Sequence, residues 1–313
     1  MAERGRLVSA PHTSLLMGVP QLEHPGPPAA RRVDAYPATL HHLDTELPAG
    51  RSLLPALHDA VFERGFTSAF GELRGGGFTE FDYYIPSICH AGTSVATFSE
   101  PRRGHGPAAF VRGGVTIGKR DGKVFAHCHA MFVGADGIMR AGHLIPDSVL
   151  LGAGVRADLY ATADVAMTVT PDPEINFPVF QPQPVHETTT THEGGLRSVV
   201  ARIHPNVDIV AAVEHLAETH RFDTAIVRGK VGSFVGATLT QGDHVITAPG
   251  PATEVMYLDG AVTPDADGRP RAELSCAAVG IDGNVYTGSV VRGRNPVAMT
   301  FELALSEPDR TIQ

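Results

Sequence analysis

The spacing of apolar residues changes along the chain. Between Ser52 and Arg64 they fall at Leu53, Leu54, Leu57, Ala60 and Val61. The i, i+3, i+4 spacing puts them on one helix face and predicts a helix over 52–64, with Ser52 as N-cap and Gly65 as its stop. On either side the apolar runs are short and punctuated by glycine and proline, which reads as strands. They are predicted over 31–43, 66–73, 81–85, 94–98 and 108–117, with a turn at Asp121-Gly122. Residues 126–144, AHCHAMFVGADGIMRAGHL, then read as a hairpin. An apolar run turns through Gly134, Ala135, Asp136 and Gly137 and returns through Ile138, Met139 and Arg140 to His143.

The order recurs in the second half. A strand is predicted over 197–203, a helix over 207–219 with Ile209, Val210, Val213, Leu216 and Ala217 apolar, and a strand over 222–228 leading into Gly229-Lys230-Val231-Gly232-Ser233. Gly114, Asp121-Gly122, Asp136-Gly137 and Gly142 recur as Gly260, Asp267-Gly268, Asp282-Gly283 and Gly288, each 146 positions later. Such a match predicts an internal duplication. It gives a first domain over 31–180, a polar linker over 181–195 (QPQPVHETTTTHEGG), and a second domain over 196–313. Residues 1–30, rich in Pro, Gly and His, read as an irregular arm.

Composition narrows the function classes. A chain of 313 residues with 42% hydrophobic and 19% charged residues is expected to be soluble and globular, with cores for two domains. Its 34 glycines and 24 prolines favour turns and strands over helical bundles. No segment approaches the ~18 apolar residues of a membrane span, and the N-terminus lacks a signal-peptide core, so a cytoplasmic location is expected. Cys89, Cys128 and Cys276 are too scattered for a disulfide framework and read as buried small hydrophobes. The net charge of −9 opposes binding to nucleic acid.

The chemistry concentrates in the hairpin. In a strand His127 and His129 share a face while Cys128 points away, and the return strand brings His143 alongside them. Three imidazoles with an open coordination position suit a catalytic zinc, although spacing alone leaves zinc, nickel and iron open. The register sets His127, His129 and His143 against Glu273, Ser275 and Ser289, so the second copy lacks the triad.

A strand, an amphipathic helix, a strand into a glycine-rich turn, then a Gly, an Asp-Gly turn and the run HCHAMFVGADGIMRAGHL, with its His-x-His, second turn and Gly-His-Leu, resemble the PPC (plants and prokaryotes conserved) domain. The resemblance covers residues 31 to about 170 with its most specific motif and residues 197 to about 307 more weakly. It implies an α+β fold, in which a bent, mainly antiparallel sheet packs with a helix. It also implies a homotrimer and zinc on His127, His129 and His143. The family pattern places a Glu six residues before the strand glycine, met here by Glu254 before Gly260, while Ala108 stands in that place before Gly114. Glu254 is therefore expected to face the first copy's metal across a domain or subunit contact. The fold is also similar to that of acetolactate decarboxylase, which points to a lyase or hydrolase step on a small carboxylate. For such a step Arg74, Arg112 and Arg140 are candidate carboxylate anchors, and Glu72 and Glu174 candidate acids or bases, with residues 171–180 folding over the pocket as a lid. Plant PPC domains accompany AT-hooks. The nearest matches here, at 102–107, 268–271 and 292–296, lack the full Arg-Gly-Arg-Pro core, so DNA is not expected as a partner. A sensor or scaffold in which zinc only fixes the hairpin is the third reading.

Overall fold

The helix predicted over 52–64 forms as α1 (Leu53–Val61) and tightens into a 3-10 turn, Phe62–Arg64, that Gly65 ends at φ 85°. Glycine takes that left-handed conformation without a Cβ clash. Ser52 stands at the N-cap, yet its side chain makes no capping bond. The second helix, α2 (Ile209–Thr219), does have a cap, because the Asp208 carboxylate accepts from the backbone N–H groups of Val210 and Ala211. The computed structural model describes residues 21–104, 106–186 and 192–309. The first 20 residues of the expected arm, His105, and parts of the expected linker (187–191) and second domain (310–313) lie outside them.

Around these two helices the chain is mostly antiparallel sheet. The longest strand, β1 (Val33–Leu47), precedes α1; β2 (Ser68–Arg74) follows it. Next come β3 (Ala108–Arg120), β4 (Lys123–Val133), β5 (Met139–Leu144), β6 (Val155–Thr162) and the hairpin of β7 (Val165–Asp172) and β8 (Phe177–Pro184). The second half contributes β9 (Leu196–Ile203), β10 (Ala225–Val227), β11 (Val231–Phe234), β12 (Thr253–Pro264), β13 (Pro270–Val279), β14 (Val285–Val290) and β15 (Val297–Ser306). In the first half the neighbours run β1, β6, β2, β3, β4, β5. In the second they run β9, β15, β10 with β11, β12, β13, β14.

The registers agree closely. His129 stands opposite His143 as Ser275 stands opposite Ser289. Ala109 faces Val133 as Glu254 faces Val279. These pairs correct the sequence register by one place on one strand. The offset is 279 − 133 = 146 along β4 and β13, but 254 − 109 = 145 along β3 and β12. Glu254 therefore corresponds to Ala109 rather than Ala108.

Each half buries its own helix. Leu53, Leu57 and Val61 of α1 pack with Phe78, Cys128 and Phe132, while Ile209, Val213 and Leu216 of α2 pack with Phe234, Leu258 and Phe301. Burying one such side chain is worth about 1.5–3 kcal/mol. The halves are not hinged by a simple linker. Residues 33–40 of β1 pair with β9 and residues 41–47 with β6, and a third core of Leu40, Phe70, Tyr160, Val200 and Ala304 lies at that junction. Residues 181–184, expected in the linker, are strand residues of β8 paired with β7. With two short helices beside this much sheet among the described residues, the α+β expectation overstates the helical share. No described helix is long and apolar enough to cross a membrane.

Candidate metal centre

Alternation along β4 sets the site. Cys128, Ala130 and Phe132 point into the core around α1. His127 and His129 point the opposite way, toward the second half, and the antiparallel register brings His143 of β5 beside His129. Three ring nitrogens converge. His129 Nε2 lies 3.1 Å from His127 Nε2 and 3.2 Å from His143 Nδ1. Among the described residues, this is the cluster of three or more His, Cys, Asp or Glu side chains able to hold a metal ion.

The second half fixes the two rings of β4 from behind. The Glu302 carboxylate lies 2.8 and 3.0 Å from His127 Nδ1, and His129 Nδ1 donates to the Val255 carbonyl at 2.8 Å. Each Nδ1 thus carries the proton, which leaves the Nε2 lone pairs facing one another. Lone pairs 3.1 Å apart repel unless a cation lies between them. A tetrahedral ion bound at about 2.0–2.1 Å holds its nitrogen ligands about 3.3 Å apart. The two separations from His129 match that spacing, and all three nitrogens lie within 4.8 Å of one another. Burial, reinforced by neighbouring imidazoles, holds the pKa of His129 and His143 well below the ordinary histidine value and keeps both in the ligand form.

Glu254 of β12 lies beside the triad. Its Oε1 is 3.7 Å from both His129 Nε2 and His143 Nδ1, and Oε2 is buried without a hydrogen-bond partner. Burial pushes its pKa well above the usual carboxylate range. Sequence reading missed Glu302. The signal was a lone acid within the apolar run 297–306, now 1% exposed.

The other candidates lie elsewhere. Arg112 bonds Glu72 at 2.5 Å and Asp259 at 2.6 Å with its guanidinium over the Tyr257 ring, and Arg74 pairs with Glu72. These residues, with Lys230, form a charged cluster beside a different cavity of about 230 Å³. Arg140 is tied to Asp136 on the hairpin turn, 2.6 Å away. Glu174 receives Arg32 at 2.8 and 2.9 Å and the Ala29 N–H at 3.0 Å, so it anchors residues 29–32 and offers the triad no oxygen. Burial raises its pKa, but the His204 ring 3.8 Å away together with these contacts lowers it to about 2. Of the stretch 171–180, expected as a lid, Phe177, Pro178, Val179 and Phe180 wall the cavity over the triad. Cys128 and Cys276 are buried as expected, with thiol pKa values pushed up to about 12, but Cys89 is half-buried with Thr93 Oγ1 at 3.5 Å.

The fold and the site together define a mainly β protein with a three-histidine centre at the junction of two similarly ordered halves. The family model of the Plants and Prokaryotes Conserved (PCC) domain matches residues 190–308. The match thus falls on the half without histidines, the one whose resemblance the sequence makes weaker. Solved structures similar to the chain include a plant- and prokaryote-conserved protein from Pyrococcus horikoshii, at 15% identity. It covers 47% of this chain and 96% of its own, with a TM-score of 0.38. A metal-containing protein from Archaeoglobus fulgidus has 17% identity, 46% and 94% coverage and a TM-score of 0.36. A protein from Ralstonia eutropha JMP134, named as a proposed DNA-binding protein, has 19% identity, 44% and 89% coverage and a TM-score of 0.35. No curated protein matches the chain.

Proposed function

We propose that the protein is a metal-dependent lyase or hydrolase acting on a small molecule, with zinc on His127, His129 and His143. The observation that carries this reading is the convergence of three nitrogens, two of them with tautomers set from the opposite half of the chain. Zinc bound there supplies a Lewis acid that polarises a carbonyl or acidifies a water. Glu302 keeps His127 in its donating tautomer, and the Val255 carbonyl does the same for His129. Glu254, buried against the triad, is the residue to hold or move a proton at Oε1 or Oε2. The cavity above, about 340 Å³, has the size of a small-molecule site.

The common strand order supports descent of the two halves from one duplicated unit. A homotrimer, implied by the resemblance, is part of the proposal and is tested by native mass measurement; both faces of the centre already come from one chain. A DNA-binding role has less support. Of the basic segments, Arg103 pairs with Glu80 and Asp82, and Arg292 with Glu214.

The test is metal analysis and turnover on a panel of small keto and hydroxy acids, for wild type and a His127→Ala/His129→Ala double variant. The expected result is one divalent ion per chain and turnover in wild type, both lost in a variant that keeps its far-ultraviolet spectrum. Equal metal content in the two proteins would overturn the reading.

A further inference from the structure

The sequence-predicted anchors Arg74, Arg112 and Arg140 all have carboxylate partners away from the cavity over the triad. That cavity nevertheless has a cation. Arg120, at the end of β3 beside the Asp121-Gly122 turn, is the one Lys or Arg among the described residues lining it. Its guanidinium carbon lies 3.7 Å above the Phe125 ring, and it makes no hydrogen bond or ion pair among the described residues. Asp121 and Asp147 act on it electrostatically, but neither is within ion-pair distance. A planar cation laid on an aromatic face is pre-ordered, and its unengaged donors form a fork that matches a carboxylate.

Between Arg120 and the centre the walls are apolar. Phe98 lies 4.5 Å from His143 and 5.7 Å from Phe177 by ring centroids, Phe125 packs on Phe180 at 5.7 Å, and Val169 and Met299 add aliphatic surface. The acidic and basic groups are divided: the three histidines, Glu254 and Glu302 on the inner side, Arg120 with the exposed Asp147 on the outer side, where Asp147 is beyond ion-pair distance and leaves the guanidinium fork unengaged. A ligand matching that division has one anionic group, an aromatic or branched apolar body, and an oxygen donor at the far end.

We infer that the cavity binds small monocarboxylates with an aromatic or branched apolar body, and that Arg120 holds their carboxylate as the specificity-determining residue. This rests on the proposed function only for the ligand's far end; the carboxylate and the apolar body are recognised by this chain's own side chains.

The test is calorimetry of phenylacetate, phenylpyruvate and the neutral ketone phenylacetone against wild type, Arg120→Gln and Arg120→Lys, each metal-free and zinc-loaded. Phenylacetate is expected to bind wild type in both metal states and to bind Arg120→Gln at least tenfold more weakly, with Arg120→Lys in between. Phenylacetone should bind wild type and Arg120→Gln alike. Because Arg120 is exposed and unpaired, the variants should melt with wild type. Equal phenylacetate affinity in Arg120→Gln, tighter binding of the neutral ketone than of the acid, or zinc uptake without acid binding would overturn the inference. Arg120-dependent phenylacetate binding to a protein that takes up no zinc would uphold it and fell the metal reading alone.

Discussion

The two halves share a strand order and differ in what one sheet face presents. In the first half that face carries His127, His129 and His143, covered by β12 and β15 of the second. In the second half the register equivalents Glu273, Ser275 and Ser289 are exposed. The same backbone register holds without the histidines, so the hairpin does not need them to form. The second half supplies carboxylates instead, Glu254 and Glu302, and it has put them where the first half's nitrogens need a partner.

That division can be broken experimentally. His129→Ala should reduce bound metal from one ion per chain to near zero, while Ser275→Ala at the matching position should leave it unchanged; elemental analysis of the purified proteins decides. Metal loss in the serine variant would mean the halves are not as asymmetric as their exposed faces suggest. Glu302→Gln keeps the shape but removes the charge behind His127. It should weaken metal affinity about 10–100-fold, measured by competition with a chromophoric chelator. The smallest expected effect sharpens the comparison at the seam rather than the site. Burial raises the pKa of Glu174, but the nearby His204 ring, 3.8 Å away, and the hydrogen bonds from Arg32 and the Ala29 N–H outweigh it and lower the value to about 2, so the folded state binds its proton less readily than the unfolded chain. Its stabilising contribution is complete above the unfolded value of about 4.3 and is lost as the pH falls toward 2. Melting temperatures measured from pH 5 to pH 3 should fall more steeply in wild type than in Glu174→Gln.

Much of this was legible in the residues. Period-two alternation placed His127 and His129 on one face and the Asp-Gly turn returned His143 to them, while Glu254 was picked out only through the Glu-to-Gly pattern of the family the sequence resembles. The anchors were not legible. Whether an arginine is free depends on which carboxylate the fold brings to it, and Arg112 meets Glu72 forty residues away and Asp259 from the other half. Arg120 carries no distinguishing sequence signal, because its vacancy is a property of its neighbours. The junction was illegible for a similar reason. Nothing in β1 announces that residues 33–40 pair with a strand about 160 residues later.

That shared strand has a consequence for the order of assembly during synthesis. Val33 pairs with Ile203, and Glu302 backs His127, so the first strand and the triad must await chain that the ribosome has not yet made. At roughly 5–20 residues per second, Glu302 follows His143 by about 8–32 s. For that interval the nascent histidines exist without the carboxylate that sets the His127 proton, and β1 has an open edge. The three-histidine site is therefore a late product of folding, finished when β15 closes the sheet, and it cannot serve as an early staple that draws the chain together.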